Sequence, residues 1–541
     1  MAMFLYIFMI LFSPAYGAAS DFSQQVLQDS IAGTEYKDGV AAYKEGRYED
    51  AVKLWKKAAK SGNTDAMCNL GTCYAKGAGV SSNYNQAVKW WREAAEKGNA
   101  MAQCNMGNSY MHGNGVKADA GAAVEWYRMS AAQGNPIAIT SLGNCLLNGE
   151  GVLEDAISAV ECFYEAAEKG YAIAQYELAG CYYSGVGIEQ NLDEAIYWYK
   201  RSAAGGYAVA QRLLAICYEN GDGVEKSYSE AAKWYLAAAK QGDAESQFVI
   251  AELYYSGQGV EKNASEAVEW YMKAARQGHI DAQYSLAGCY YSGTGTDVDY
   301  LRAFKWYYEA AKNGDVDALC QLAGCYYWGD GVKQDIFKAA QLYLKAANMG
   351  NADAQYYLAE CYLNGHGMEP DIIEAWKWYN EAASQEHAAA QNAIGFFYYE
   401  GWVVDKNPEK AFAAFSSAAE QGYAEAQFNL ANCYYSGKGV EQDRLKAART
   451  YIQAAEQGHI LAQHNLAVCF YNGIGVDKSY ADAVKWYTKA AEQGYPQSQY
   501  ELGMCYYNGD GVDKNREEAR RWWKLAAEQE HEPSIRALRN D

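Results

Sequence analysis

An uninterrupted period of 36 residues confines this chain to a stack of like units. Stepping by 36 from Ala66 meets Ala102, Ala138, Ala174, Ala210, Ser246, Ala282, Ala318, Ala354, Ala390, Ala426, Ala462 and Ser498, and no insertion breaks the register. Such a period marks an array in which one unit cannot bury its apolar face alone and neighbours bury it for one another. Counting positions 1 to 36 from that small residue, position 12 is glycine in all thirteen units, from Gly77 to Gly509. Glycine takes the left-handed backbone that closes a helix, so a first helix ends there.

Position 18 is always Asn, Asp or Ser: Asn83, Asp119, Asp155, Asn191, Ser227, Asn263, Asp299, Asp335, Asp371, Asn407, Asp443, Ser479 and Asn515. These side chains accept hydrogen bonds from the free amides that open a helix, so a second helix starts there. Glu194, Glu230, Glu266 and Glu374 stand three residues after Asn191, Ser227, Asn263 and Asp371, the spacing of capping boxes. The connector, as in Gly185-Val186-Gly187-Ile188, has glycines like those of a phosphate loop. No strand pattern precedes it, no Gly-Lys-Ser/Thr follows it, and it recurs in nearly every unit, so it reads as a turn.

The two helices carry faces that fit each other. Positions 1, 5, 8 and 9 (Ala174, Leu178, Cys181, Tyr182) form an apolar stripe of helical period on the first. Position 6, Ala179 or Gly503, keeps that helix slim. The second answers with alanine at position 22, aromatic pairs such as Trp198-Tyr199, Trp234-Tyr235 and Trp486-Tyr487, and an alanine pair near its end. Large rings entering small-residue notches bury on the order of 150 to 250 Å² each.

The run Ala-Gln-Tyr-x-Leu-Ala/Gly-x-Cys-Tyr-Tyr-x-Gly-x-Gly-Val, followed by Ala-x-x-Trp-Tyr-x-x-Ala-Ala-x-x-Gly, resembles the Sel-1-like repeat family, a relative of the tetratricopeptide repeats. The resemblance covers thirteen units over residues 66–533. The preceding stretch, 38–65, contains Ala42-Tyr43-Lys44-Glu45-Gly46-Arg47-Tyr48, Ala51 and Trp55 but no Gly-x-Gly connector. It resembles an ordinary tetratricopeptide unit and is expected to cap the stack, with residues 534–541 forming a capping helix fragment at the other end. The resemblance implies an all-α, right-handed superhelical solenoid of antiparallel helix pairs, with the first helices on its concave side. It also implies a scaffold or adaptor that binds protein or peptide, expected here as a monomer.

Charge narrows the partners. Lysine and arginine total 46 against 67 acidic residues, a net charge of −21. Nucleic acid and anionic membrane surfaces require clustered cations, so neither is an expected partner. The apolar run Met1 to Phe12, with small residues from Ala15 to Ala19, reads as a signal peptide over residues 1–19, followed by a lead-in segment, 20–37. Export follows: periplasmic or secreted, or the secretory-pathway lumen in a eukaryote. No later stretch is apolar enough to insert in a membrane after cleavage.

Candidate chemistry is sparse. Ten of the fourteen cysteines share position 8 and form a ladder too widely spaced for disulfides or a four-thiolate zinc site. They read as small core residues. Cys68, Cys104, Cys162 and Cys320 lie off the ladder, where pairing with a neighbour stays open. Seven histidines show no metal-ligand spacing, so no metal or cofactor is expected. No Ser-x-x-Lys supports the hydrolase alternative, and the chain is read as a non-enzyme. The sequon Asn263-Ala264-Ser265 places its asparagine at a cap position.

Positions 3, 7, 10 and 11 of the first helix are not needed for the stripe and, by analogy with tetratricopeptide units, are expected to line the concave groove. They are rich in rings and amides: Tyr176 and Tyr183, Tyr284 and Tyr291, Tyr356, Phe428 with Asn432 and Tyr435, His464 with Tyr471 and Asn472, Tyr500 with Tyr507 and Asn508. Such residues suit peptide backbone and, alternatively, the sugar rings of a cell-envelope glycan. The competing role for the position-10 tyrosines is packing onto the adjacent unit. The unit starting at Ala390 is irregular: Phe396 at position 7, Trp402-Val403 at the connector, Ala414 in place of Trp, and Glu386 for the glycine before it. This reads either as a packing irregularity that alters curvature or as a hot spot around Phe396 and Trp402.

Overall fold

The computed structural model describes residues 34–540, so the signal-peptide reading and most of the lead-in segment lie outside the described residues. Every regular element among them is a helix, twenty-nine in all. The chain divides into two compact units, Met1–Trp270 and Tyr271–Asp541.

In the first unit α1 (Thr34–Lys44) pairs with α2 (Tyr48–Lys60). Pairs then follow in order: α3 (Thr64–Lys76) with α4 (Tyr84–Glu96), α5 (Ala100–His112) with α6 (Ala120–Ala131), and α7 (Pro136–Asn148) with α8 (Ala156–Glu168). Next come α9 (Ala172–Ser184) with α10 (Leu192–Ala204), α11 (Ala208–Asn220) with α12 (Tyr228–Lys240), and α13 (Ala244–Ser256). The boundary falls within α14 (Ala264–Arg276). The second unit contains α15 (Ile280–Ser292) to α28 (Arg516–Ala527) in the same alternation, closed by the short α29 (Glu532–Asn540). Consecutive helices pack on one another from α1 to α13 in the first unit and from α15 to α29 in the second. Short connections make consecutive helices antiparallel neighbours.

Local chemistry sets the helix ends. All thirteen position-18 residues accept a hydrogen bond from a backbone amide two or three residues on, Asn83 from Gln86 at 3.1 Å and Asn515 from Glu518 at 3.1 Å among them. Asn263 of the sequon caps Glu266 in this way at 3.2 Å. The reciprocal half of the capping box is taken by another acceptor. The amides of Asn191, Ser227, Asn263 and Asp371 donate to the carbonyls of Tyr182, Tyr218, Tyr254 and Tyr362, nine residues earlier, because the connector folds back over the first helix. Glu230 and Glu374 instead pair with Lys233 and Lys377, each at 2.5 Å.

The connector explains both of its glycines. Position 12 is left-handed throughout, with Gly185 at φ 75° closing α9. Position 14 is left-handed too, and it lies against the start of the preceding second helix: a Cβ on Gly187 would come within 2.2 Å of the Ala156 carbonyl oxygen. In the irregular unit the backbone keeps this conformation without glycine, Val403 at φ 61° and Glu386 at φ 63°. The helices on either side, α21 (Ala388–Glu400) and α22 (Pro408–Glu420), keep the usual thirteen residues. The irregularity is therefore local strain within an unchanged register.

The core repeats with the sequence. Position 1 and position 22 are fully buried small residues, Ala174 and Ala195 for example. The ring at position 26 fills the notch at position 6. Where that ring is Trp91, Phe163, Phe415 or Trp523 the notch is glycine: Gly71, Gly143, Gly395 or Gly503. Where it is Tyr199, Tyr235, Tyr343, Tyr379, Tyr451 or Tyr487 the notch is alanine, and Gly107 facing Tyr127 is the exception.

Candidate interaction surface

A half-buried amide ladder positions successive pairs. In the second unit Gln493 donates to the Gln463 side-chain oxygen at 2.7 Å, and Gln463 donates in turn to the Ala455 carbonyl at 3.1 Å. Gln133, Gln103 and Ala95 repeat this in the first unit at 2.7 and 3.1 Å. The position-2 glutamines are buried and must be paired, so the bonds they accept from the exposed position-32 glutamines fix the offset between pairs. Sequence reasoning missed it, although glutamine recurs at position 2 and again at position 32.

A second bridge runs from the residue that opens several of the first helices. Asn99 donates to Asp65 at 2.8 Å, and Asn351 to Asp317 at 2.6 Å. His387 and His459 cap their own helices through Nδ1 and reach Asp353 at 3.2 Å and Glu425 at 2.9 Å through Nε2. These hydrogen bonds hold both carboxyls below their ordinary range.

The expected surface residues divide according to what these joints use. At position 10, Tyr291 donates to Asp330 at 2.8 Å and Tyr471 to Asp510 at 2.9 Å, each at position 13 of the next pair. Tyr327 meets His366 at 2.7 Å, and Lys438 donates to Tyr399, at the same spacing. Burial together with Asp222 pushes the Tyr183 phenol up to about 12. Position-10 tyrosines thus serve packing between neighbours as well as presenting their rings.

Position 3 also packs. Tyr176 is buried, edge-on to Tyr207 at 5.3 Å, and Tyr356 stacks on His387 at 4.9 Å. Tyr284 is half-buried beside Tyr307. Phe396 lies edge-on to Phe415 at 5.4 Å, and Asn432 accepts from Tyr451 at 2.5 Å.

Several of the expected residues stay open. Trp402 is 43% exposed and edge-on to Phe397, Tyr291 is 39% exposed despite its bond to Asp330, and Tyr435 is 38% exposed, with Ile474 at position 13 of the following pair. Asn472 is exposed and donates to the Val468 carbonyl at 3.0 Å. Two others converge: Tyr500 and Tyr507 line one cavity of about 430 Å³ with Met504, Trp523, Arg536 and Asn540.

Reactive groups are shielded. All fourteen cysteines are free thiols, Cys68, Cys104 and Cys320 buried and Cys162 half-buried, and burial pushes Cys104 up to about 12. A protonated, desolvated thiol is a poor nucleophile. Desolvation pushes the Glu177 carboxyl up to about 7. No cluster of three metal-ligating side chains occurs among the described residues, and no helix among them is long and apolar enough to cross a membrane.

The Sel1 repeat model matches the chain in fourteen consecutive segments, beginning with 36–63, 64–99 and 100–135 and ending with 460–495 and 496–531. The first match falls on the stretch without the Gly-x-Gly connector. Among solved structures, c5321, a protective antigen of uropathogenic Escherichia coli with an SLR fold, is 31% identical; the match covers 84% of this chain and 96% of that one, with a TM-score of 0.66. A Sel1 repeat protein from Oxalobacter formigenes is 30% identical over 60% of this chain and 92% of its own, with a TM-score of 0.49. No curated protein matches the chain. The fourteen matched segments and the helix pairs they coincide with show that the chain belongs to the Sel1 repeat family, a helical-repeat fold suited to protein–protein interaction.

Proposed function

We propose that this chain is an exported scaffold that grips a polypeptide segment along the first helices of its pairs. The observation that carries the reading is the cavity at the end of the second unit, where Tyr500 and Tyr507, expected on sequence grounds, meet around one opening. Tyrosine offers broad apolar area and a hydroxyl at small entropic cost, which suits an extended peptide. Trp402 and Tyr435 add exposed rings on the same unit. The net charge of −21 favours basic or neutral partners. The Escherichia coli relative is described as a protective antigen, which supports an exported setting.

The test is co-purification from the native host with wild type and with Tyr435→Ala, Tyr500→Ala and Tyr507→Ala combined. A specific partner is expected to be recovered with wild type and lost with the variant. Equal recovery would refute the surface. Mass spectrometry of the same sample is expected to find the mature chain starting after Gly17 or Ala19, and an intact Met1 would refute cleavage.

A further inference from the structure

Some joints of the first unit supply a cation of their own to the tyrosine at position 9. Lys56 Nζ lies 5.7 Å from the centroid of the Tyr74 ring, and Lys200 Nζ lies 5.7 Å from that of Tyr218. The Arg92 guanidinium donates to the Tyr110 hydroxyl at 3.1 Å. In each case the cation stands eighteen residues before the tyrosine. The joint of α8 with α9 has the tyrosine, Tyr182, but Tyr164 occupies the place of the cation.

An open cavity of about 610 Å³ remains there. Val160 and Ile188 form its apolar floor, Tyr164 and Tyr182 its walls, and Glu161 and Glu168 stand on its rim. Lys169 does not fill it, because its ammonium is held by Glu165 at 2.7 Å and by the Gly134 carbonyl at 3.2 Å. Glu161 and Glu168 are exposed and have no ion-pair partner among the described residues.

We infer that this cavity receives a basic side chain, an arginine or lysine of a partner polypeptide, entering where the comparable joints place a cation of their own. Aromatic faces attract cations, most strongly a guanidinium that can also stack, and the rim carboxylates complement its charge. The excess acidity of the chain draws cationic segments toward it. The site lies between a second helix, α8, and the first helix and connector that follow, α9 and Ile188, shares no residue with the surface proposed above, and does not depend on the groove reading.

The test uses the full chain with isotope-labelled isoleucine methyl groups and follows Ile188 by NMR during titration with acetyl-Gly-Arg-Gly-amide. A saturable shift is expected, at least tenfold weaker with the neutral citrulline peptide. Tyr164→Lys, which fills the place as Lys56 and Lys200 do elsewhere, is expected to weaken binding at least tenfold. Tyr84→Lys adds the same charge at another exposed tyrosine of the unit and is expected to leave it unchanged. Glu161→Gln with Glu168→Gln gives a second loss that does not rely on the lysine variant folding. An unmoved Ile188, equal affinity for the citrulline peptide, or equal binding by the two lysine variants overturns the site, as does full affinity in the double glutamine variant.

Discussion

Gly395→Ala and Gly324→Ala should shift stability in opposite directions, although both replace a glycine inside a first helix. A Cβ on Gly395 would lie 2.4 Å from Cε1 and 2.6 Å from Cδ1 of Phe415, a ring that is 2% exposed and braced by Phe396. Ordinary carbon contacts are about 3.5 to 4.0 Å, so the ring must retreat by about 1 Å inside a filled core. Overpacking of this kind costs about 1 to 3 kcal/mol, against a helix-propensity gain of about 0.5 to 1 kcal/mol. The net is a loss of up to about 2.5 kcal/mol. At Gly324 the nearest atom to the new Cβ is the Tyr343 hydroxyl at 3.6 Å, an ordinary contact. Only the helix gain remains there, about 0.5 to 1 kcal/mol of stabilisation. Because repeat arrays open locally, urea melts should be accompanied by hydrogen exchange of α21 and of the helix Val316–Trp328. Parallel stabilisation by both substitutions would refute the reasoning about the notch.

Two further outcomes follow from strained or desolvated residues. Val403→Gly should stabilise the chain by about 1 kcal/mol, since a β-branched residue at φ 61° carries a left-handed penalty that glycine escapes; an unchanged or lower thermal midpoint would contradict this. His464 is held by burial down to about 4, so the unfolded chain takes up its proton near pH 6.5 while the folded chain resists until about pH 4. Stability should fall as pH drops through that window, by on the order of 3 kcal/mol in all, and His464→Phe, which copies Phe428 at the same position, should flatten the slope. Urea midpoints between pH 7 and 4 that fall equally in both proteins would exclude His464 as the source.

The helix ends were legible because the residues that set them act within a few positions of themselves: Gly185 closes α9 by its own backbone, and Asn191 opens α10 with its own side chain. The alanine notches and rings were legible because each recurs as one residue type. The capping boxes were misread at Asn191 because the amide's acceptor, the Tyr182 carbonyl, is brought near only by the fold of the connector. The surface was legible least well. Whether the hydroxyl of a position-10 tyrosine is tied to its neighbour depends on position 13 of the next pair, where Asp330 and Asp510 take it and Ile474 does not. That relation spans 39 residues and involves a variable partner, so no single-unit pattern reveals it.

Many bridges between pairs recur at fixed separations, among them 30 along the glutamine ladder, 34 at the helix-opening residue and 39 at the tyrosine. A genetic event that copies or drops one whole 36-residue block therefore leaves a chain in which donors still find acceptors, whereas a slip of a single residue misaligns the bridges at that seam. Array length becomes a trait that recombination can adjust in whole steps, and family members with fewer or more units can arise without refashioning any joint.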